Sequence, residues 1–140
     1  MRFIKCRGRF EASNVCFYPD SLEGYSYDWW QFTVKYKGKV LFNDYNYSPS
    51  TCKHQTKVRH ELSKRDVRIY LELRFTRQGF QHGNVELALK DEIVCTQKEI
   101  QDLKDLINKP KTHKKTNERR KETIKELLNH MRAVEVLLSE

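Results

Sequence analysis

Thirteen residues, Lys109–Lys121 (KPKTHKKTNERRK), contain seven Lys/Arg and a single acid, Glu118. The chemistry open to such a run is charge neutralisation. Lys109, Lys111, Lys114, Lys115, Arg119, Arg120 and Lys121 can pair with phosphates or with an acidic protein face, and Thr112, Thr116 and Asn117 add neutral donors. Contacts of this kind give affinity without reading sequence, and log K falls by about 0.9 per neutralised phosphate for each unit of log salt. Seven like charges so close together repel one another without a partner, which favours a binding role over a merely solvated loop.

A second basic surface lies in residues 49–64. Lys53, Lys57 and Arg59 stand there with His54, His60 and Lys64, and Glu61 is the one acid. A helix over this stretch would turn a basic side outward and a stripe (Cys52, Gln55, Val58/Arg59, Leu62) toward a sheet. No preceding helix stands at turn spacing, so a helix-turn-helix reader is not indicated. Between these residues and the N-terminus, Tyr25, Tyr27, Trp29, Trp30, Tyr36, Tyr45 and Tyr47 are interleaved with Lys35, Lys37 and Lys39. Aromatic faces among cations are what unpaired bases stack on. Strand alternation sends most of these rings into a core and leaves Tyr27 and Trp29 as surface candidates for stacking or for a protein interface.

Bond-making chemistry has less support. The histidines 54, 60, 82, 113 and 130 are scattered, and no Gly-rich phosphate loop or activated-nucleophile motif occurs. Asp20 with Asp102 and Lys104 faintly resembles a metal-dependent nuclease pattern. On a helix, however, positions 102 and 104 point apart. Cys6, Cys16, Cys52 and Cys95 form no Cys-x-x-Cys pair, and zinc sites need paired short spacings. Neither metal nor cofactor is expected, and the thiols read as small apolar fillers of a reduced protein.

The elements that must hold these groups follow from periodicity. Strands are expected near 2–10, 14–18, 29–36, 40–46 and 67–75, with a loop over 21–27 and a turn at Lys37-Gly38. Ser48 followed by Pro49 marks the start of a helix running to Lys64. From residue 84 the period becomes helical. Leu89, Ile93, Thr96, Ile100, Leu103 and Ile107 form one stripe, and Ile124, Leu127, Met131, Val134 and Leu138 another. Helices over 90–108 and 118–138 would pack antiparallel, with the basic run as the loop between them.

These readings converge on an α+β chain. Residues 1–83 form a small, mostly antiparallel sheet covered by one helix, and 84–140 form a helical hairpin with a basic tip. With 140 residues, a formal charge of +8 and 38% apolar residues, the chain can bury one modest core. The start MRFIKCRGRF lacks an apolar leader and no apolar run reaches membrane length, so a cytoplasmic, non-membrane protein is expected. The expected function is non-catalytic: a small binding protein or regulator that engages nucleic acid or a nucleic-acid-bound complex. The alternative is a protein-interaction module, such as a phage or mobile-element inhibitor of a host complex, using the hairpin to dimerise or dock. A nuclease comes last.

Overall fold

The computed structural model describes residues 4–5, 15–27, 29–80 and 84–140. It divides into two compact units, Met1–Ala88 and Leu89–Glu140. The first unit is a six-stranded sheet whose spatial order follows the chain: β1 (Ile4–Lys5), β2 (Val15–Tyr18), β3 (Glu23–Ser26), β4 (Trp30–Tyr36), β5 (Lys39–Asn43) and β6 (Leu71–Leu73). Every pairing is antiparallel except β5 with β6. A parallel pair needs a crossover connection, and helix α1 (Pro49–Lys64) supplies it.

Local signals set most of these boundaries. Lys37 and Gly38 have φ of 51° and 78°, the doubly left-handed turn that suits a two-residue hairpin. Ser48 caps α1, its Oγ accepting from the Thr51 N–H at 3.1 Å, with Pro49 at the first helical position. At the far end Asp66 adopts φ 56°, Asp66 N donates to Ser63 O and Val67 N to Leu62 O. That pair of bonds closes the helix and turns the chain toward β6.

Val15, Phe17, Trp30, Phe32, Val40 and Phe42 of the sheet pack with Val58 and Leu62 of α1 to form the core of this unit. Gly24 lets the helix close on the sheet. A Cβ there would lie 3.2 Å from both Val58 Cγ1 and Thr33 Oγ1. Gln31 and Thr33 of β4 are buried as well.

Three sequence expectations change in this unit. The loop expected over 21–27 contains strand β3, because Glu23–Ser26 pairs with β2 on one side and β4 on the other; Gly and Ser in EGYS hide that from propensity. The strand expected over 67–75 pairs only at Leu71–Leu73, while Val67 and Ile69 pack beside the core. His54, assigned to the outer basic face of α1, is buried; the inward stripe is Thr51, His54, Gln55, Val58 and Leu62. Of the strand expected over 2–10, residues 2–3 and 6–10 with Cys6 lie outside the described residues, as do His82 and Gly83.

The second unit is a helical hairpin. Helix α2 (Val85–Ile107) and helix α3 (Lys114–Ser139) pack together, and at 1.5 Å per residue they run about 34 and 39 Å. Leu89, Thr96 and Ile100 of α2 and Ile124, Leu127, Val134 and Leu137 of α3 are buried. Ile93, Leu103, Ile107, Met131 and Leu138 of the expected stripes are half-buried. The basic run is not a loop: only 108–113 connect the helices, and Lys114–Lys121 form the opening turns of α3.

Candidate polyanion-binding surface

The connection between the helices is fastened by side chains that the sequence offers as spare donors. Thr112 Oγ1 donates to Lys109 O at 3.2 Å, Asn117 Nδ2 donates to Thr112 Oγ1 at 2.7 Å, and Arg120 donates to Asn117 Oδ1 at 3.1 Å. Lys111 sits in the left-handed region with φ 68°, which reverses the chain. The first turn of α3 then forms with Asn117 N donating to His113 O at 3.0 Å. Lys and Arg are good helix formers, so the charged run continues as helix once it is started.

This fixes the positions of the cations. Lys109, Lys111, Lys114, Lys115, Arg119 and Lys121 are exposed, while Arg120 is half-buried against Asn117. At 100° per residue, Lys114, Lys121 and Lys125 fall within about 40° of one another, a stripe roughly 16 Å long. Lys115 and Arg119 line a neighbouring stripe. Lys125 lies just past the run singled out in the sequence; it pairs loosely with Glu122 at 3.6 Å, both side chains well exposed. Among the described residues, Lys109, Lys111, Lys114, Lys115, Arg119 and Lys121 are in no ion pair.

Their placement also runs against the helix field. The first turn of α3 has no acid, its last turn no base, and His113 at the N-cap makes no side-chain capping bond. Cations at a helix N-terminus face the positive end of the macrodipole. The N–H groups of the first turn and the side chains of Lys114 and Lys115 thus lie at the same end of the helix, an arrangement that favours an incoming anion.

The cations of α1 are arranged otherwise. Arg59 is bound by Glu72 and by Asp44 at 3.1 Å, with its guanidinium 4.1 Å from the Phe42 ring centroid. Burial opposes its charge, but the bonds from Glu72 and Asp44 outweigh that and hold its pKa above the usual value. Arg65 and Lys64 both engage Glu61, and the Arg65 bond keeps that carboxyl below the ordinary range despite burial. Lys53 is exposed and Lys57 half-buried. Of the three α1 cations read as a secondary contact, Arg59 is committed to the fold.

Inside α1 the opposite side of the helix carries a polar network. Ser26 Oγ and His54 Nδ1 share a hydrogen bond of 2.7 Å, and Ser26 Oγ lies 3.1 Å from Thr51 Oγ1. Gln55 Nε2 donates to Asn43 O and Tyr45 O at 2.9 and 3.1 Å. Serine beside histidine invites a nucleophile reading, but both are fully buried and serve to join helix and sheet. In the hairpin, buried Glu92 meets His130 Nε2 at 2.7 Å across the two helices. No signal beyond spacing marks either pair in the sequence.

Tyr27 and Trp29 are both exposed, as expected, but they do not share one surface cluster. Tyr27 rests edge-on against His54 at 5.2 Å, whereas Trp29 meets Tyr47 at 5.9 Å. Arg77, not singled out in the sequence, lies over Tyr47 at 5.4 Å. Cys16 is buried, and Cys52 and Cys95 are half-buried free thiols; burial, then nearby Asp91, pushes the Cys95 pKa up. Asp102 and Lys104 lie exposed on α2, not on a strand. Among the described residues no three His, Cys, Asp or Glu side chains are grouped closely enough to hold a metal ion, and no helix is long and apolar enough to cross a membrane.

These features define an α+β protein with a sheet-and-helix unit and a basic-ended helical hairpin. Compared with protein-family models, curated proteins and solved structures, the chain matches none.

Proposed function

We propose that this is a non-catalytic intracellular binding protein that engages nucleic acid, or a nucleic-acid-bound complex, through the N-terminal turns of α3. The observation that carries the reading is the set of exposed cations at Lys109, Lys111, Lys114, Lys115, Arg119 and Lys121, in no ion pair among the described residues, with Lys114 and Lys115 in the first turn, where the helix dipole disfavours them. The like charges repel one another, Lys114 and Lys115 also oppose the dipole, and all gain if phosphates occupy the region. Lys53 and Lys57 on α1 are secondary contacts. Arg59 contributes through the fold instead.

The test is fluorescence anisotropy with labelled single- and double-stranded oligonucleotides across a salt series. Binding should weaken steeply with salt. Charge reversal at Lys114, Lys115, Arg119 and Lys121 should flatten the slope for duplex DNA by about 0.9 for each phosphate that is no longer neutralised. An unchanged slope, or no binding at low salt, would remove nucleic acid as the ligand of α3.

A second reading has its own observation. Val94 of α2 and Leu128 and Val136 of α3 are apolar and exposed on the hairpin, Val94 at 62%. They favour a protein partner or a second copy of the chain, with the basic end of α3 meeting an acidic face. Charge reversal that leaves nucleic-acid affinity intact while abolishing capture of such a partner would bring this reading forward.

A further inference from the structure

We propose that Trp29, Tyr47 and Arg77 form a stacking site for an unpaired nucleotide, with the base on the Trp29 indole, the Tyr47 ring (set at 79° to it) against the base edge, and the phosphate on the guanidinium. The inference rests on the nucleic-acid reading above and narrows it to strands with unpaired bases.

Tyr47 is the hub of the cluster. Its ring lies 5.4 Å from Trp30, 5.9 Å from Trp29, 6.4 Å from Tyr45 and 5.4 Å from the Arg77 guanidinium. Trp30 is buried and anchors the group, while Trp29 keeps 52% and Tyr47 39% of its surface in solvent. An indole half in water on a rigid base presents apolar area that a stacked base would cover.

The backbone around Arg77 is fixed by three side-chain hydrogen bonds. Trp30 Nε1 donates to Arg77 O at 2.9 Å. Asn43 Nδ2 donates to the carbonyls on either side, Thr76 at 3.2 Å and Gln78 at 2.9 Å. Two residues on, Gly79 passes so close to β4 that a Cβ would fall 2.8 Å from Gln31 O, and Phe80 N donates to that same oxygen at 2.9 Å. The segment 76–80 is thereby laid against the start of β4, and Arg77 is presented beside the aromatic rings. Its side chain is exposed and in no ion pair among the described residues.

Charge complementarity selects the occupant. Ring faces accept any base by stacking, and a positioned arginine accepts the adjoining phosphate. A neutral sugar or an apolar peptide would use the rings and leave the guanidinium charge unmatched.

The experiment uses the full chain with three probes of equal length: a pyrimidine single strand, an abasic strand and a duplex. Tryptophan quenching and anisotropy are read together. The base-bearing strand should bind roughly fivefold or more tighter than the abasic one, since stacking contributes on the order of 1–3 kcal/mol per base. Trp29→Ala should erase that preference and the quenching, and Trp29→Phe should keep most of the preference. Arg77→Ala should weaken both strands. The four-residue charge reversal on α3 should also weaken both without altering their ratio.

Equal binding of base-bearing and abasic strands, or a preference that survives both Trp29→Ala and Tyr47→Ala, overturns the stacking site and leaves the α3 reading intact. A preference that persists while the α3 reversal changes nothing supports the stacking site and removes α3. No binding to any strand at low salt overturns both.

Discussion

On α1, Arg59 lies between Asp44 and Glu72 with the Phe42 ring beneath it, and Glu61 gathers both Lys64 and Arg65. On the opening turns of α3, Lys114, Lys115, Arg119 and Lys121 meet no carboxylate among the described residues. In sequence the two stretches look alike: basic, with a single acid each. What separates them is whether the fold brings carboxylates from elsewhere. β5 ends at Asn43 with Asp44 just beyond, and β6 carries Glu72, so the parallel β5–β6 pairing delivers two acids to Arg59. Charge that the fold neutralises belongs to stability, and charge left open is available to a ligand.

The contrast extends to the histidines near the start of each helix. His54 is buried and bonded to Ser26, while His113 is exposed at the N-cap of α3 without a side-chain cap bond. His54→Ala should therefore cost about 2–3 kcal/mol, combining a cavity with the loss of a buried hydrogen bond. His113→Ala should change stability little. Urea unfolding of the two variants measures the difference directly. Equal midpoints would mean that the helix–sheet joint does not depend on the Ser26–His54 bond.

Arg59→Ala is the next largest effect. It strands Asp44 and Glu72 and uncovers Phe42, but the three charged side chains are each about a third or more exposed. With solvent screening taken into account, the loss is about 1–2 kcal/mol. The variant should also retain its affinity for polyanions under conditions where it stays folded. A drop in affinity without a drop in stability would return Arg59 to the binding surface and blur the comparison.

Much of this architecture is legible in the sequence because it rests on local rules. Ser48-Pro49 and Lys37-Gly38 specify a cap and a turn through nearest neighbours, and apolar periodicity specifies the hairpin. What escapes depends on pairing between distant segments. Glu23–Ser26 is a strand only because β2 and β4 flank it. His54 faces inward because Ser26, 28 residues earlier, offers a hydroxyl, and Glu92 is buried opposite His130, 38 residues later. Arg77 becomes a candidate only because Trp30 and Asn43 hold its segment against β4. The basic run is visible as composition, but its helical form depends on Thr112 and Asn117 fastening the connection.

The smallest effect has the most telling sign. Lys114 and Lys115 occupy the first turn of α3, with the dipole's positive end beside them. If they serve the fold, replacing them with Asp should destabilise it. If they serve a ligand, Lys114→Asp and Lys115→Asp should stabilise the chain, by about 0.5 kcal/mol each, because an acid at a helix N-terminus is favoured. The gain should shrink toward zero near 1 M salt, where the screening length is about 3 Å. Thermal melts at low and high salt, paired with oligonucleotide titrations of the same variants, read both quantities at once. A rise in melting temperature together with a loss of affinity would show that these lysines are kept against the interest of the helix. A fall in both would make them structural, and the distinction between the two basic helices would disappear.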